Sequence, residues 1–157
     1  MDTIKRLALA GLLAALAGCS SSVTWTEYVY KDQRFAVSFT APPKASTHPG
    51  GFLVEETTDA FDLGAVATCT LSGDKSSDAV LSDAVDAIRT QGTVRNVSYT
   101  ATGDLVGRVM LVDRLGAPTI KERVFVKGKC LYQVYAADND GPDSDLVAHF
   151  LDSFRLL

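Results

Sequence analysis

The sequence predicts an α+β fold in which an antiparallel β-sheet is covered by helices on both faces, an α/β/α sandwich. Runs of alternating apolar and polar residues, such as 34–39, are typical of half-buried strands. Two other segments, which begin near residues 77 and 144, carry apolar residues at helical spacing. The run 109–112 is apolar on both faces of a strand, so the sheet needs cover on each side. The two amphipathic helices are the segments available to supply it.

A short targeting segment opens the chain. Two basic residues precede an apolar stretch, 7–16, which is shorter than the roughly 20 residues that span a membrane. Two small residues then lead to Cys19, and this order resembles a bacterial lipoprotein signal. The resemblance implies that residues 1–18 are a cleaved signal peptide and that Cys19 receives N-acyl and S-diacylglycerol groups. The alternative is an ordinary secretory signal that contains a cysteine by chance.

Lipidation of Cys19 would tether a water-soluble domain to a membrane, because two or three acyl chains hold stably where one holds marginally. Residues 19–24 would then form the lipidated tether, and residues 25–157 a single domain. Ser20 is compatible with sorting to the outer membrane in the rule known for enteric lipoproteins. We therefore expect the outer membrane, facing the periplasm, or otherwise the outer leaflet of the plasma membrane.

The charge pattern limits the partners. The chain has a formal net charge of −4 and no cluster of lysines and arginines in its sequence. This pattern lacks the basic surface that nucleic-acid binding requires. The expected partners are the membrane, through the lipid anchor, and another envelope protein or a small ligand, but not nucleic acid.

Aromatic residues close to the tether are candidates for a binding surface. Trp25, Tyr28 and Tyr30 supply the large, amphipathic side chains that are enriched at interfaces. Packing against the sheet is the alternative use of the same side chains, and the sequence leaves both open.

Two cysteines remain after Cys19. Cys69 and Cys130 form an even pair in an exported chain, which permits a disulfide. Both lie in strand-like runs, where cysteine also packs as a small apolar residue. Since the sequence does not show whether the two strands are neighbours, a bridge and two buried thiols both remain open.

The first half of the chain is predicted to form strands followed by a helix. Strands are predicted at 25–30, 34–39, 52–58 and 63–71, and turn formers occupy 45–51. From residue 77 the apolar period becomes helical, with Ser77 or Asp78 as the cap and Gly92 as the end.

The second half of the chain is also predicted to form strands followed by a helix. Strands are predicted at 94–102, 107–115, 119–127 and 129–137, and Gly128 suits a hairpin that needs a positive φ. A final helix carries an apolar stripe, and Asp143 or Ser144 is available to cap it.

Residues for catalysis or metal binding are sparse. The sequence has neither a nucleophile elbow nor a Gly-rich phosphate loop. His48 lies in a turn and His149 in the last helix, where surface and packing roles are expected. The acidic run 138–145 fails the EF-hand spacing and is interpreted as a turn that caps the helix. We therefore expect no catalytic residue, no metal site and no cofactor.

Local patterns across the whole mature chain resemble PsbP-like proteins, relatives of an extrinsic photosystem II subunit. The patterns lie at 28–32, at 35–39 followed by a proline, at 107–108, in the hairpin 123–132 and at 150–154. The resemblance implies the Mog/PsbP-type α/β/α sandwich and, among bacterial lipoprotein members, an auxiliary binding or assembly role. Photosynthesis is not implied, because the segment between Cys19 and Trp25 is too short to match the extension through which the photosystem subunit docks.

Two classes of function remain. The favoured one is a non-catalytic binding or assembly module anchored in the cell envelope. The alternative is a small, hydrolase-like envelope enzyme with an unrecognised site. A cleft with several ionisable groups of shifted pKa would favour the enzyme, whereas a flat apolar surface would favour binding.

Overall fold

The computed structural model describes residues 23–71, 73–102 and 105–157. The predicted signal peptide, 1–18, and Cys19 lie outside this part. Within it, neither helix is long and apolar enough to cross a membrane. The described residues form ten strands and two helices: β1 (Thr26–Tyr30), β2 (Phe35–Phe39), β3 (Lys44–His48), β4 (Gly51–Thr57), β5 (Phe61–Thr68), α1 (Ser77–Arg89), β6 (Thr93–Thr102), β7 (Leu105–Asp113), β8 (Ile120–Lys127), β9 (Cys130–Asp138), α2 (Asp145–Ser153) and β10 (Arg155–Leu156).

The strands form two antiparallel sheets. The larger has seven strands in the order β3-β4-β5-β9-β8-β7-β6, and the smaller has three in the order β1-β2-β10. Long-range pairing of β5 with β9, from Phe61 opposite Asp138 to Thr68 opposite Leu131, joins the two halves of the chain.

The small sheet and α2 cover one face of the large sheet. Phe35, Val37 and Phe39 alternate along β2, and all three are fully buried. They share one apolar core with Phe150 and Leu151 of α2 and with inward-facing residues of β4, β5, β8 and β9. Burial of such aromatic and aliphatic side chains is the main source of stability here.

Helix α1 covers only part of the opposite face. Its stripe, which includes Leu81, Val85 and Ile88, packs in a second core with Met110 and Val112 of β7. The contacts of α1 are mainly with β6, β7 and β8. Among the described residues, no helix lies over the other half of this face, on β4, β5 and β9.

The predicted α/β/α sandwich is wrong. The described part of the chain is mostly β, and its two helices are short, with 13 and 9 residues. The alternation in β2 correctly indicated one buried face, but it does not say what lies against that face. A second sheet supplies much of the cover that the sequence assigned to helices.

Local differences have simple causes. Strand β3, Lys44–His48, was expected to be a turn, because a mostly exposed edge strand lacks apolar alternation. The side chain of Ser76, one residue earlier than expected, caps α1, and the helix is capped at Thr90 before Gly92. Ser144, one of the two expected residues, caps α2.

Candidate functional site

The three aromatics predicted near the tether are half-buried and pack against the domain. Trp25 stacks on His149 with ring centroids 4.3 Å apart. Tyr28 meets Phe39 edge-on at 6.0 Å, and Tyr30 lies 5.3 Å from Phe52. These contacts support the packing interpretation of the three side chains.

Cys69 and Cys130 lie opposite each other, one pair beyond the last register pair of β5 and β9. Their Cα atoms are 3.9 Å apart and their sulfurs are 2.08 Å apart, at the distance of a disulfide. Cys69 is exposed and Cys130 is half-buried. The two strands that carry these cysteines are thus neighbours, which the sequence left open.

The cysteines border a cavity of about 490 Å³, which we call the basic cavity. Three segments meet there: the turn between β1 and β2, the hairpin between β8 and β9, and the end of β5. The lining residues are Asp32, Gln33, Arg34, Cys69, Lys127, Gly128, Lys129, Cys130, Tyr132 and Leu157.

Backbone geometry fixes the two turns. Gly128 has a φ of +62°, as the hairpin prediction required, and Arg34 has a φ of +60°, which is uncommon for a side-chain-bearing residue. The hydroxyl of Tyr132 donates to the Gln33 carbonyl over 3.1 Å and so ties the first turn to β9. Arg34 is therefore held at the cavity by the turn itself.

The cavity is positively charged. Three basic side chains, Arg34, Lys127 and Lys129, line it together with one acidic side chain, Asp32. Among the described residues, none of these four makes an ion pair within 4.0 Å. Burial raises the pKa of the Tyr132 phenol, and the charge of Arg34 acts in the opposite direction. The arrangement can receive an anionic group.

A second concave region lies beside α1, on the half of the large sheet that neither described helix covers. We call it the carboxylate groove; its volume is about 220 Å³. Its lining residues are Leu53, Asp62, Val66, Gln91, Arg114, Ile120, Glu122, Gln133 and Tyr135.

Glu122 is the unusual group in this groove. Only 8% of the residue is exposed, and burial raises its pKa to about 7, with the charge of Arg114 acting in the opposite direction. Burial also raises the pKa of Tyr135, its register partner in β9. The Gln133 amide donates to Glu122 Oε1 over 3.3 Å.

Gly64 makes room for Tyr135. The two residues are opposite each other in β5 and β9, and a Cβ added to Gly64 would lie 2.2 Å from Tyr135 Cζ. The tyrosine ring therefore extends from β9 over Gly64 in β5, the strand on the other side of β9 from β8 and Glu122. A larger residue at position 64 would displace this wall of the groove.

A cleft with several ionisable groups of shifted pKa would favour an enzyme, and this groove contains two such groups, Glu122 and Tyr135. Its lining residues include no Ser, Thr, Cys or His in the part of the chain that the structure describes. His48 and His149 are exposed and line neither region. The groove thus offers carboxyl, amide and phenol groups rather than a nucleophile with a base.

The acidic run after β9 has a structural role. Asp138 accepts hydrogen bonds from the Ser144 hydroxyl at 2.6 Å and from the backbone of Asp140 at 3.2 Å. Within the described ranges, no group of three or more His, Cys, Asp or Glu side chains is placed to hold a metal ion. The run forms the turn that leads into the cap of α2.

Comparison with known proteins identifies the fold. No family model and no curated protein matches the chain. The solution structure of cyanobacterial PsbP (CyanoP) from Synechocystis sp. PCC 6803 matches with a TM-score of 0.59 and 12% identity, over 94% of this chain and all of that one. A crystal structure from Bacteroides thetaiotaomicron matches with a TM-score of 0.51 and 9% identity, over 83% of this chain and 48% of that one. The predicted PsbP-like domain is confirmed at the level of fold.

Proposed function

We propose that this PsbP-like protein is a lipid-anchored, non-catalytic binding module of the cell envelope, and that its basic cavity receives an acidic segment of another envelope protein. The observation that carries the proposal is the convergence of Arg34, Lys127 and Lys129 on one cavity without an ion pair in the described residues. Charges left unpaired in a concave site favour association with a complementary surface.

The position of the cavity relative to the tether supports a protein partner over lipid headgroups. Trp25 lies just before β1, on the side from which the tether 19–24 would leave the domain, whereas the basic cavity lies past the other end of β1. Five residues of strand separate these ends by about 17 Å. A six-residue tether spans about 20 Å at most, so the domain would stay close to the membrane, with its Trp25 end nearest the anchor and the basic cavity at the end of β1 that is further from it.

The chemistry of the two concave regions supports binding rather than catalysis. In the basic cavity the two sulfurs are within bonding distance of each other, and the Tyr132 hydroxyl donates to a backbone carbonyl. The PsbP-like fold is compatible with a non-catalytic module. The proposal therefore assigns the cavity a charge-recognition role.

Crosslinking in intact cells tests the proposal. Lys129→Glu reverses one charge in the basic cavity, and Lys44→Glu makes the same change at an exposed lysine in β3, outside it. We expect the recovery of a crosslinked envelope protein to fall about tenfold for Lys129→Glu and to stay unchanged for Lys44→Glu. Equal recovery from both variants would contradict the proposal.

The anchor requires a separate experiment. Cys19→Ala removes the predicted acylation site, so labelling by a radioactive fatty acid should disappear and the product should remain uncleaved or become soluble. Ser20→Ala, which leaves the cysteine in place, is the matched control and should still be labelled. Labelling of the Cys19→Ala protein at the wild-type level would refute lipidation at this residue.

A further inference from the structure

We infer that the carboxylate groove is a second binding site, separate from the basic cavity, and that it takes an alkylammonium group such as a lysine side chain. The inference rests on a buried carboxylate that opens into the groove, on the balance of charge around it and on apolar walls next to it. It goes beyond the proposed function and does not depend on it.

In the described part of the chain, Arg114 acts on Glu122 from a distance, but no cation forms an ion pair with this carboxylate. It is 8% exposed, and burial of a carboxylate is costly unless a cation or several hydrogen bonds compensate. Among the described residues it has no ion pair within 4.0 Å, and the Gln133 amide is the one side-chain donor to it. The described part of the structure contains no fully enclosed side-chain oxygen without a hydrogen-bond partner, so the other oxygen, Oε2, keeps some contact with solvent, and Glu122 lines the groove. An ammonium group there would supply the missing interaction.

The groups that face Glu122 make the groove acidic overall. Asp62 on β5 adds a second carboxylate, and Tyr135 on β9 adds a neutral phenol. From the loop after β7, Arg114 contributes one positive charge, but it donates to Gln91 Oε1 over 3.2 Å rather than to Glu122. With two carboxylates and one guanidinium, the groove complements a cation better than an anion.

Apolar side-chain surface adjoins Glu122 in the groove. Ile120 lies two residues earlier on the same face of β8, and Tyr135 is the register partner of Glu122 in β9. Leu53 and Val66, which are register partners in β4 and β5, line the far side of the groove. A four-carbon chain can therefore lie along Ile120 and Tyr135 while its ammonium group reaches the carboxylate, which is how a lysine side chain divides its surface.

Binding of this kind is coupled to protonation. An ammonium group binds the ionised form of Glu122, while burial favours the neutral form. Affinity should therefore fall as the pH drops from about 8 to about 6, because more of the carboxyl is protonated. Asp62, Tyr135 and Arg114 line the same groove, and the charge of Glu55 on β4 acts on Tyr135, but burial holds the Tyr135 phenol neutral over this range.

The test is a titration of the full folded domain with n-butylammonium chloride, followed by NMR, with n-butanol as the uncharged probe of equal chain length. We expect butylammonium to cause saturable chemical-shift changes at Tyr135 and Gln133. We expect butanol to bind with an affinity at least about tenfold lower. In a parallel titration, N-acetyl-lysine methylamide should shift the same resonances if the groove takes a lysine side chain. Shifts by butanol as large as those by butylammonium, or no shifts in the groove, would overturn the inference.

Matched variants identify the carboxylate. Glu122→Gln keeps the shape and should weaken butylammonium binding about tenfold or more, whereas Glu27→Gln, which changes an exposed carboxylate of β1 outside the groove, should leave the affinity unchanged. Unchanged affinity in folded Glu122→Gln would overturn the assignment. The comparison of butylammonium with butanol on the wild-type protein tests whether the groove selects a cation, and it needs no variant. Neither experiment depends on the basic cavity.

Discussion

Trp25 and His149 stack with ring centroids 4.3 Å apart and ring planes 24° apart. The contact joins the first residue of the predicted domain to the last helix, far away in sequence. It holds the start of the fold in place at the point where the predicted tether would begin. Its role is therefore structural: it holds the start of β1 against α2.

Trp25→Ala should lower the free energy of unfolding by about 2 kcal/mol, because a half-buried tryptophan loses roughly half of what a core aromatic does. Urea unfolding measures the change. Leu115→Ala, at a fully exposed position, is the control and should change stability by about 0.5 kcal/mol or less. Equal stability of the two variants would show that the stack does not hold this segment.

The disulfide gives a second prediction. Cys69 and Cys130 are 61 positions apart, and a bridge across a loop of this size stabilises by about 4 kcal/mol in the chain-entropy model. Reductant should lower the free energy of unfolding of the wild-type protein by up to this amount and leave a Cys69→Ser, Cys130→Ser double variant unaffected. Two free thiols in the folded, unreduced protein would rule out the bridge.

The pH dependence of stability gives a third prediction. Burial raises the pKa of Glu122 to about 7 from an ordinary value of 4.5. Below pH 4.5 the carboxyl is protonated in both states. Between these two values the unfolded chain releases the proton while the folded protein keeps it, so stability falls as the pH rises, by about 3 kcal/mol once the pH passes 7.

Glu122→Gln should remove most of this slope, so the stability of the variant relative to the wild type should increase from pH 5 to pH 8. Urea unfolding at several pH values measures it. Arg155 lowers the pKa of Glu27, so Glu27→Gln should leave the slope above pH 5 unchanged. A slope that survives in Glu122→Gln would mean that another group is responsible.

Much of the secondary structure could be predicted, because alternation and helical period are local properties. The layer arrangement could not, since the apolar face of β2 is equally compatible with a helix or a sheet as its cover. The basic cavity could not be predicted either, because Arg34 is distant in sequence from Lys127 and Lys129. The sequence pattern of the hairpin residues indicated only a turn. Glu122 lies between Lys121 and Arg123, where a charged side chain resembles an ordinary surface residue. Its burial depends on neighbours in other elements.

A final prediction concerns Gly107, which is opposite Phe125 where β7 pairs with β8. A Cβ added at Gly107 would lie 2.0 Å from the Val124 carbonyl oxygen and 2.7 Å from Phe125 Cδ1. The oxygen belongs to the backbone of the paired strand, so it cannot move without disturbing the ladder. We therefore expect Gly107→Ala to lower the free energy of unfolding by about 3 kcal/mol.

Gly73→Ala is the matched control, because no atom of the described residues, its chain neighbours aside, lies within 4 Å of the added Cβ, and the change should cost about 0.5 kcal/mol or less. Urea unfolding of the two variants under the same conditions separates the steric effect from a general effect of replacing glycine. If Gly107→Ala were as stable as Gly73→Ala, the close approach of β7 to β8 would be wrong. A loss confined to Gly107→Ala would instead establish that this pair of strands requires a residue without a side chain, since both variants gain the same methyl group.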